Sequence, residues 1–189
     1  MRAAWRHVIC FCNFGLSMEI YGTSYSRALR ALWMACEMEV EFVHHPLAVE
    51  RCAKDPDYLS INPAGTIPAL VDEGFVQGES LAINLYLARK HGRLWPEDEQ
   101  GQALSLQWSF WGQASLEAPY VSWMEHGQWL PEALRDAAEQ KRAAQALQRP
   151  LDRLEQALRD RPYLLGHAFT VADLNVAGIS TRLPHAVNG

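Results

Sequence analysis

Every strand-like pattern in this chain lies in its first half, and this asymmetry limits the fold more than any other feature. Short apolar or β-branched runs occur at residues 18–24, 40–47 and 66–72, and a hairpin partner with a glycine turn follows at residues 73–77. Helical spacing separates the first two runs and recurs in "ESLAINLYLARKHG", where Gly92 ends the helix. The order β-α-β, then β-β-α, predicts a small mixed α/β domain whose first two strands are parallel.

The second half contains helical patterns only. A helix is predicted at residues 99–124, bent near Pro119, and another begins near Pro131. The second of these carries an apolar stripe of leucines at helical spacing: Leu147, Leu151, Leu154 and Leu158. A last helix opens with "FTVADL", where Thr170 and Asp173 form the pattern of a capping box. The second half is therefore predicted to be all-α.

Domain boundaries follow from these patterns. We predict a first domain at residues 18–92, a linker at 93–98 and an all-α domain at 99–189. The first 17 residues, "MRAAWRHVICFCNFGLS", combine two arginines with a short apolar run and lack a small-residue cleavage site. We expect residues 1–17 to be a non-native or disordered extension, and we leave a signal peptide and an added strand open as alternatives.

Composition excludes several classes of function. The 189 residues carry a net charge of −5, with 49 % hydrophobic and 21 % charged residues, which is typical of a globular chain without electrostatic affinity for nucleic acid. No run approaches the roughly 20 apolar residues that a membrane span needs. The four cysteines form neither a C-x-x-C pair nor a zinc spacing. We therefore expect a cytoplasmic protein without metal, nucleic-acid or membrane partners.

Four motifs stand in a specific order along the chain. "GTSYSRALRALW" joins the first strand to the first helix, "NPAGTIPAL" precedes the third strand, "ESLAINLYLA" opens the next helix, and "FTVADLNVA" opens a late helix. With these motifs the chain resembles the cytosolic glutathione transferase superfamily, in its serine-type bacterial form, over about residues 18–180. The resemblance implies a thioredoxin-like first domain, a helical second domain that is truncated at the C-terminus, and a homodimer.

The resemblance also implies a binding site for glutathione as cosubstrate. Pro68 is unusual for a strand because proline cannot donate to a β-ladder. The resemblance implies that the Ile67–Pro68 bond is cis and that the backbone of Ile67 pairs with the cysteinyl backbone of glutathione, beside Thr66. It further implies that Glu79 pairs with the γ-glutamyl ammonium, while Ser80 and the helix N-terminus receive the carboxylate. Helix capping is the alternative role for this E-S pair.

Glutathione needs help to become a nucleophile at neutral pH. A free thiol titrates near pH 8.5, and the thiolate is the reactive form. Donors at the start of the first helix could lower the thiol pKa. The resemblance implies that Ser26 is this donor; Ser24 and Tyr25 remain alternatives, and so does a plain capping serine. No cysteine lies at this position, and Cys36 is predicted to lie in the core.

Three positions depart from the family pattern. Many relatives place a basic residue where this chain has Gly65, Thr66 or Leu81. Four other basic side chains are candidates to replace them: Arg27, His44, His45 and Arg51. The two histidines are adjacent on a strand, so they should point to opposite faces and cannot share a metal.

Aromatic residues crowd the second domain. Trp108, Trp111 and Tyr120 are candidates to line an electrophile pocket, and packing in the core or a dimer contact is the alternative. The resemblance thus implies a glutathione transferase of the detoxification type, which activates the thiol for attack on an apolar electrophile. Two alternatives are a glutathione-dependent disulfide or peroxide reductase and a catalytically inactive binding or regulatory protein.

Overall fold

The computed structural model describes residues 18–181. The chain divides into two compact units, the first ending at His91 and the second beginning at Gly92. The expectations about residues 1–17 and about the C-terminal truncation lie outside the described residues.

The first unit is built on a four-stranded mixed sheet in the order β2-β1-β3-β4. Its strands are β1 (Met18–Tyr21), β2 (Val43–His45), β3 (Ala69–Asp72) and β4 (Phe75–Gly78). β1 runs parallel to β2 and antiparallel to β3, and β3 runs antiparallel to β4. The predicted parallel pair and hairpin are confirmed. The strands are shorter than predicted, because Gly22 turns the chain after β1 and prolines without an N–H group follow β2 and precede β3.

Helices cover both faces of this sheet. They are α1 (Ala28–Glu37), α2 (Val49–Cys52), α3 (Pro56–Ile61) and α4 (Ser80–His91). α1 and α4 pack against each other and against the strands. Ile20 and Leu70, paired across β1 and β3, are fully buried on one face. The other face carries Tyr21 and Ala69, which lie in a cluster with Tyr58 of α3.

The buried face of α1 differs from the predicted one. Small residues and a methionine face the interior: Ala28, Ala31, Met34 and Ala35. Cys36 is exposed, so its predicted place in the core is wrong. The interior stripe lies on the neighbouring face of the helix because α1 packs against α4 through these smaller side chains, which permit a close approach.

The second unit is built from helices in its described part, and non-helical segments join some of them. Its elements are α5 (Glu99–Trp111), a π-helical segment (Gly112–Glu117), α6 (Ala118–Met124), a second π-helical segment (Glu125–Trp129), a 3₁₀ turn (Glu132–Leu134), α7 (Ala137–Leu158) and α8 (Val171–Ser180). The predicted interruption near Pro119 takes the form of wide π-turns just before it, so the chain stays helical through this proline. The predicted stripe on α7 is buried at Leu147 but 40 % exposed at Leu158.

The start of α8 confirms the capping box. The Thr170 N–H donates to an Asp173 carboxylate oxygen at 2.9 Å, and the Thr170 side chain accepts from the Asp173 N–H. The second Asp173 oxygen accepts from the N–H of Leu164 at 2.6 Å. Asp173 therefore fixes both the helix start and the loop before it.

No helix within residues 18–181 is both long and apolar enough to cross a membrane.

Candidate functional site

The loop after β1 turns at Gly22. Gly22 has φ +124°, and a Cβ placed on it would lie 2.6 Å from the Cβ of Ala28 and 3.2 Å from that of Ile67. Its N–H donates to the carbonyl of His45 at 2.9 Å, and its own carbonyl accepts from His44 Nε2 at 2.8 Å. Gly22 thus brings the end of β1 against both the start of α1 and the residue before Pro68.

Ser26 lies in this turn, two residues before α1. Its hydroxyl donates to the Thr23 carbonyl at 2.8 Å and accepts from the Ala28 N–H at 3.1 Å. Ser26 is half-buried, whereas Ser24 is exposed and Tyr25 is 86 % exposed. The predicted capping use of Ser26 is therefore present, and its role toward a thiolate stays a prediction. To reach a sulfur, the hydroxyl proton must turn away from Thr23.

The loop before β3 presents an open backbone at Ile67. The Ile67–Pro68 peptide bond is cis. Within the described part of the chain, neither the N–H nor the C=O of Ile67 has a hydrogen-bond partner. The preceding carbonyl, of Thr66, is doubly engaged: it accepts from the Tyr58 hydroxyl at 2.5 Å and from Asn62 Nδ2 at 2.8 Å. The Thr66 side chain is exposed.

Sequence reasoning missed Tyr58 and Asn62. They lie four residues apart at the end of α3, so they reach the same carbonyl, and this spacing was the available signal. Burial raises the pKa of the Tyr58 hydroxyl above its ordinary value, which keeps it a proton donor near neutral pH. The two side chains position the loop that carries Ile67.

The start of α4 contains the E-S pair. Glu79 is exposed and has φ +62°, which is rare for a residue with a side chain. Ser80 is the first residue of α4 and is only 5 % exposed. Its Oγ accepts from Nη1 of Arg30 on α1 at 3.1 Å, and Arg30 itself is 5 % exposed. No sequence pattern distinguishes Arg30 from an ordinary surface arginine within a helix.

His44 and His45 have separate partners, as their adjacent positions predict. His44 contacts Gly22, whereas the His45 ring stacks on Tyr21 with 4.3 Å between centroids and reaches Glu19 Oε2 at 2.7 Å. Burial, followed by the hydrogen bond to Glu19, raises the pKa of the Tyr21 hydroxyl. Among the residues described, no three or more His, Cys, Asp or Glu side chains gather as metal ligands would.

The two arginines considered as substitutes are both exposed. Arg51 is largely exposed and pairs with Asp55 at 3.6 Å. Arg27 is exposed at the position before α1. The Arg51 contact does not link a cation to the start of α4, where Leu81 stands in place of the expected basic residue. Among the described residues, the guanidinium of Arg30 does reach the start of α4.

A cavity of about 360 Å³ lies elsewhere in the first unit. Its lining comes from the end of β1, from β2 and its loop, and from α2 and α3: Tyr21, His45, Pro46, Leu47, Arg51, Asp55, Asp57, Tyr58 and Ile61. It contains none of Ser26, Ile67 and Ser80.

The aromatic candidates of the second unit pack among themselves. Trp108 and Trp111 meet edge to face with centroids 5.0 Å apart, and the guanidinium of Arg153 lies 4.7 Å from each ring. Tyr120 contacts Trp129 edge to face at 6.3 Å. Trp108 and Tyr120 are nearly buried. The alternative of core packing therefore describes their present contacts, and a role toward an electrophile stays a prediction.

The fold combines a thioredoxin-like first unit with a helical second unit. A family model described as glutathione S-transferase, N-terminal domain, matches residues 26–90, and one described as glutathione S-transferase, C-terminal domain, matches residues 118–187. The chain belongs to the cytosolic glutathione transferase superfamily.

Solved structures agree with this assignment. The chain is similar to a theta class glutathione S-transferase from Xanthomonas axonopodis pv. citri with glutathione bound, at 30 % identity and TM-score 0.79, covering 86 % of this chain and 80 % of that one. It is similar to a glutathione transferase from Populus trichocarpa at 28 % identity and TM-score 0.78, covering 88 % and 81 %. A glutathione transferase from Burkholderia graminis shares the fold at 24 % identity and TM-score 0.80, covering 88 % and 72 %.

Proposed function

We propose that this protein is a glutathione transferase that activates the glutathione thiol for attack on an apolar electrophile. One observation carries the proposal: the backbone N–H and C=O of Ile67 have no hydrogen-bond partners among the described residues. Ile67 lies beside Gly22, and Gly22 belongs to the loop that leads from β1 to Ser26. An open strand-like backbone is what a peptide ligand needs, since it can add to a sheet edge through main-chain hydrogen bonds.

Glutathione would extend from this loop to α4. Ile67, flanked by Thr66 and Pro68, would pair with the cysteinyl backbone. The γ-glutamyl carboxylate would accept hydrogen bonds at Ser80 and the first turn of α4, where the helix dipole favours an anion. Exposed Glu79 would meet the ammonium group. Thr66 would contribute from its exposed side chain, because its carbonyl is already engaged.

The chemical step would be a thiolate substitution. The thiol proton leaves to solvent, the sulfur attacks the electrophilic carbon, a C–S bond forms, and the bond to the leaving group breaks. Ser26 would favour the thiolate by donating its hydroxyl proton to the sulfur, and the N-terminal end of α1 adds a positive field. Trp108, Trp111 and Tyr120 are proposed to bind the apolar electrophile. We further propose a cytoplasmic homodimer with a role in detoxification.

The test is conjugation of glutathione to a chlorinated nitroaromatic. We expect Ser26→Ala to lower kcat/KM by about 100-fold, as loss of a donor to a developing anion typically does. The acidic limb of the pH profile should move to higher pH, because the bound thiol then has a higher pKa. Ser24→Ala, at an exposed serine of the same turn, is the matched control and should retain activity. Equal activity of Ser26→Ala and wild type would contradict the proposed role.

A binding protein without turnover is the second candidate, and the residues at positions 65, 66 and 81 favour it because they lack the positive charge that relatives often place there. Calorimetry with glutathione, combined with activity assays, separates these candidate functions. Binding of glutathione without conjugation of any electrophile would support this candidate, and reduction of a model disulfide without conjugation would instead indicate a reductase. No binding at millimolar glutathione would contradict every glutathione-dependent reading.

A further inference from the structure

The cavity of about 360 Å³ in the first unit has no part in the proposed function. It is bounded by the end of β1, by β2 with the loop after it, and by α2 and α3. Small-molecule sites usually have volumes of about 300–1,000 Å³, so this cavity is near the lower end of that range. Its size therefore fits a ligand with a single ring.

The lining of this cavity includes a contiguous aromatic wall. The ring of Tyr21 stacks on His45 with 4.3 Å between centroids, and it lies 5.6 Å from the ring of Tyr58. Both tyrosine hydroxyls are engaged, because Tyr21 donates to Glu19 at 2.8 Å and Tyr58 donates to the carbonyl of Thr66 at 2.5 Å. The two rings are thus held in place, and neither hydroxyl requires a partner from a ligand. Aromatic walls of this kind attract alkylammonium ions through the faces of their rings.

The charged part of the lining carries more negative than positive charge. Two carboxylates, those of Asp55 and Asp57, stand against the single guanidinium of Arg51. Asp55 caps α3 and lies 3.6 Å from Arg51, whose side chain is 74 % exposed. The carboxylate of Asp57 is exposed and has no partner among the described residues. Asp57 is therefore available to a cation.

We propose that this cavity binds a small alkylammonium ion with an apolar or aromatic body. The ammonium group would lie against the aromatic wall and pair with Asp57, and the body would contact Leu47 and Ile61. An anion would meet two carboxylates and only Arg51 to attract it, and a neutral ligand would gain little from the ring faces. The inference stands apart from the proposed function, since none of the residues proposed to bind glutathione lines the cavity.

The experiment is a titration of the nitrogen-15-labelled whole chain, followed by the amide NMR signals of residues 45–61. Three probes have similar phenyl-containing bodies and differ in charge: phenethylammonium, neutral 2-phenylethanol and the 3-phenylpropionate anion. We expect the Kd of phenethylammonium to be about 10-fold lower than that of 2-phenylethanol, from a cation–π contact together with one ion pair. We expect 3-phenylpropionate to bind more weakly than either.

Two charge variants test which side chains select the cation. Asp57→Asn should weaken phenethylammonium binding about threefold and leave 2-phenylethanol binding unchanged, whereas Arg51→Gln should strengthen phenethylammonium binding about threefold by removing a like charge. Both positions are exposed, so both variants should fold. Glu73→Gln removes an exposed carboxylate elsewhere in the first unit and is the control, which should bind like wild type.

Three results with the wild-type protein overturn the inference: equal Kd values for the cation and the alcohol, tighter binding of the anion, or no shift at residues 45–61 with millimolar phenethylammonium. Unchanged binding of the cation in both charge variants overturns it as well. These outcomes are separate from those of the glutathione experiments, because no glutathione is present in the titration.

Discussion

Gly22 is the residue on which the geometry of the candidate site depends most. Its φ of +124° is a conformation that side chains disfavour, and a Cβ there would lie 2.6 Å from the Cβ of Ala28. Its N–H donates a hydrogen bond to the carbonyl of His45, and its C=O accepts one from Nε2 of His44, both in β2. Any shift of Gly22 would therefore move the turn with Ser26 away from Ile67.

We predict that Gly22→Ala lowers the free energy of unfolding by about 2–4 kcal/mol, from backbone strain and overpacking together, and that it lowers conjugation activity further. Two control glycines separate the causes in urea unfolding. Gly74 has φ +86° and no neighbour within 4 Å of an added Cβ, so Gly74→Ala should lower the free energy of unfolding by only about 1 kcal/mol. Gly78 has neither a positive φ nor a close neighbour, so Gly78→Ala should leave the free energy of unfolding nearly unchanged. Equal losses in all three variants would contradict the close contact with Ala28.

Short local motifs indicate candidate site residues, whereas contacts between residues far apart in the sequence carry no such signal. Ser26, Ile67 and Ser80 stand in short motifs whose order is specific. Arg30 and His44 reach partners 50 and 22 residues away, and single-sequence periodicity carries no information on such distances. The same limit explains the error at Cys36, since a helix with apolar residues on two faces does not itself say which face packs.

At the scale of elements, Asp72 joins β3 to α4. Its buried carboxylate accepts from Lys90 Nζ at 2.6 Å and from the Tyr86 hydroxyl at 2.8 Å. Burial alone would raise the pKa of Asp72, but these hydrogen bonds outweigh it and hold the pKa below its ordinary value. The hydrogen bond to Asp72 raises the pKa of the Lys90 ammonium in turn.

These shifts give a pH dependence with a definite sign. Because the pKa of Asp72 is lower in the folded protein, its stabilisation is present above the ordinary aspartate pKa of 3.8 and is lost as the pH falls through the folded value. We predict that Asp72→Asn costs about 2 kcal/mol at pH 7. The difference from wild type should shrink below about pH 4, measured by urea unfolding at each pH. Glu73→Gln, at the exposed neighbour, should show no such difference, and a constant difference down to pH 2 would contradict the assignment.

The cap of α8 is the second element whose contribution can be tested. Asp173 bonds the N–H groups of Thr170 and Leu164 from a position only 8 % exposed, whereas Asp136, the cap of α7, bonds Ala138 and Glu139 at the surface. We predict a loss of about 3 kcal/mol for Asp173→Ala, because buried donors are left unsatisfied, and about 1 kcal/mol for Asp136→Ala. Thermal unfolding of both variants checks which substitution lowers stability more. A larger loss for Asp136→Ala than for Asp173→Ala would contradict the prediction.

Elements were predictable in type and less so in extent. The hydrophobic periods correctly gave the order of strands and helices in both halves. The π-helical segments before Pro119 and after Met124 were not foreseen, since one extra residue per turn leaves the apolar pattern nearly unchanged. The predicted range of β2 is longer than the observed strand, because the strand-like sequence pattern continues beyond the residues that pair with β1.

At the scale of the whole molecule, glutathione binding should protect a limited set of peptides from hydrogen exchange. We predict that glutathione slows exchange in the first unit around residues 22–30, 65–70 and 79–84, because a ligand that binds the native state reduces local opening there. Ser80→Ala should lose this protection, whereas Ser24→Ala should keep it. Exchange that glutathione leaves unchanged in these three ranges, or slows equally in Ser80→Ala and wild type, would contradict the proposed glutathione site.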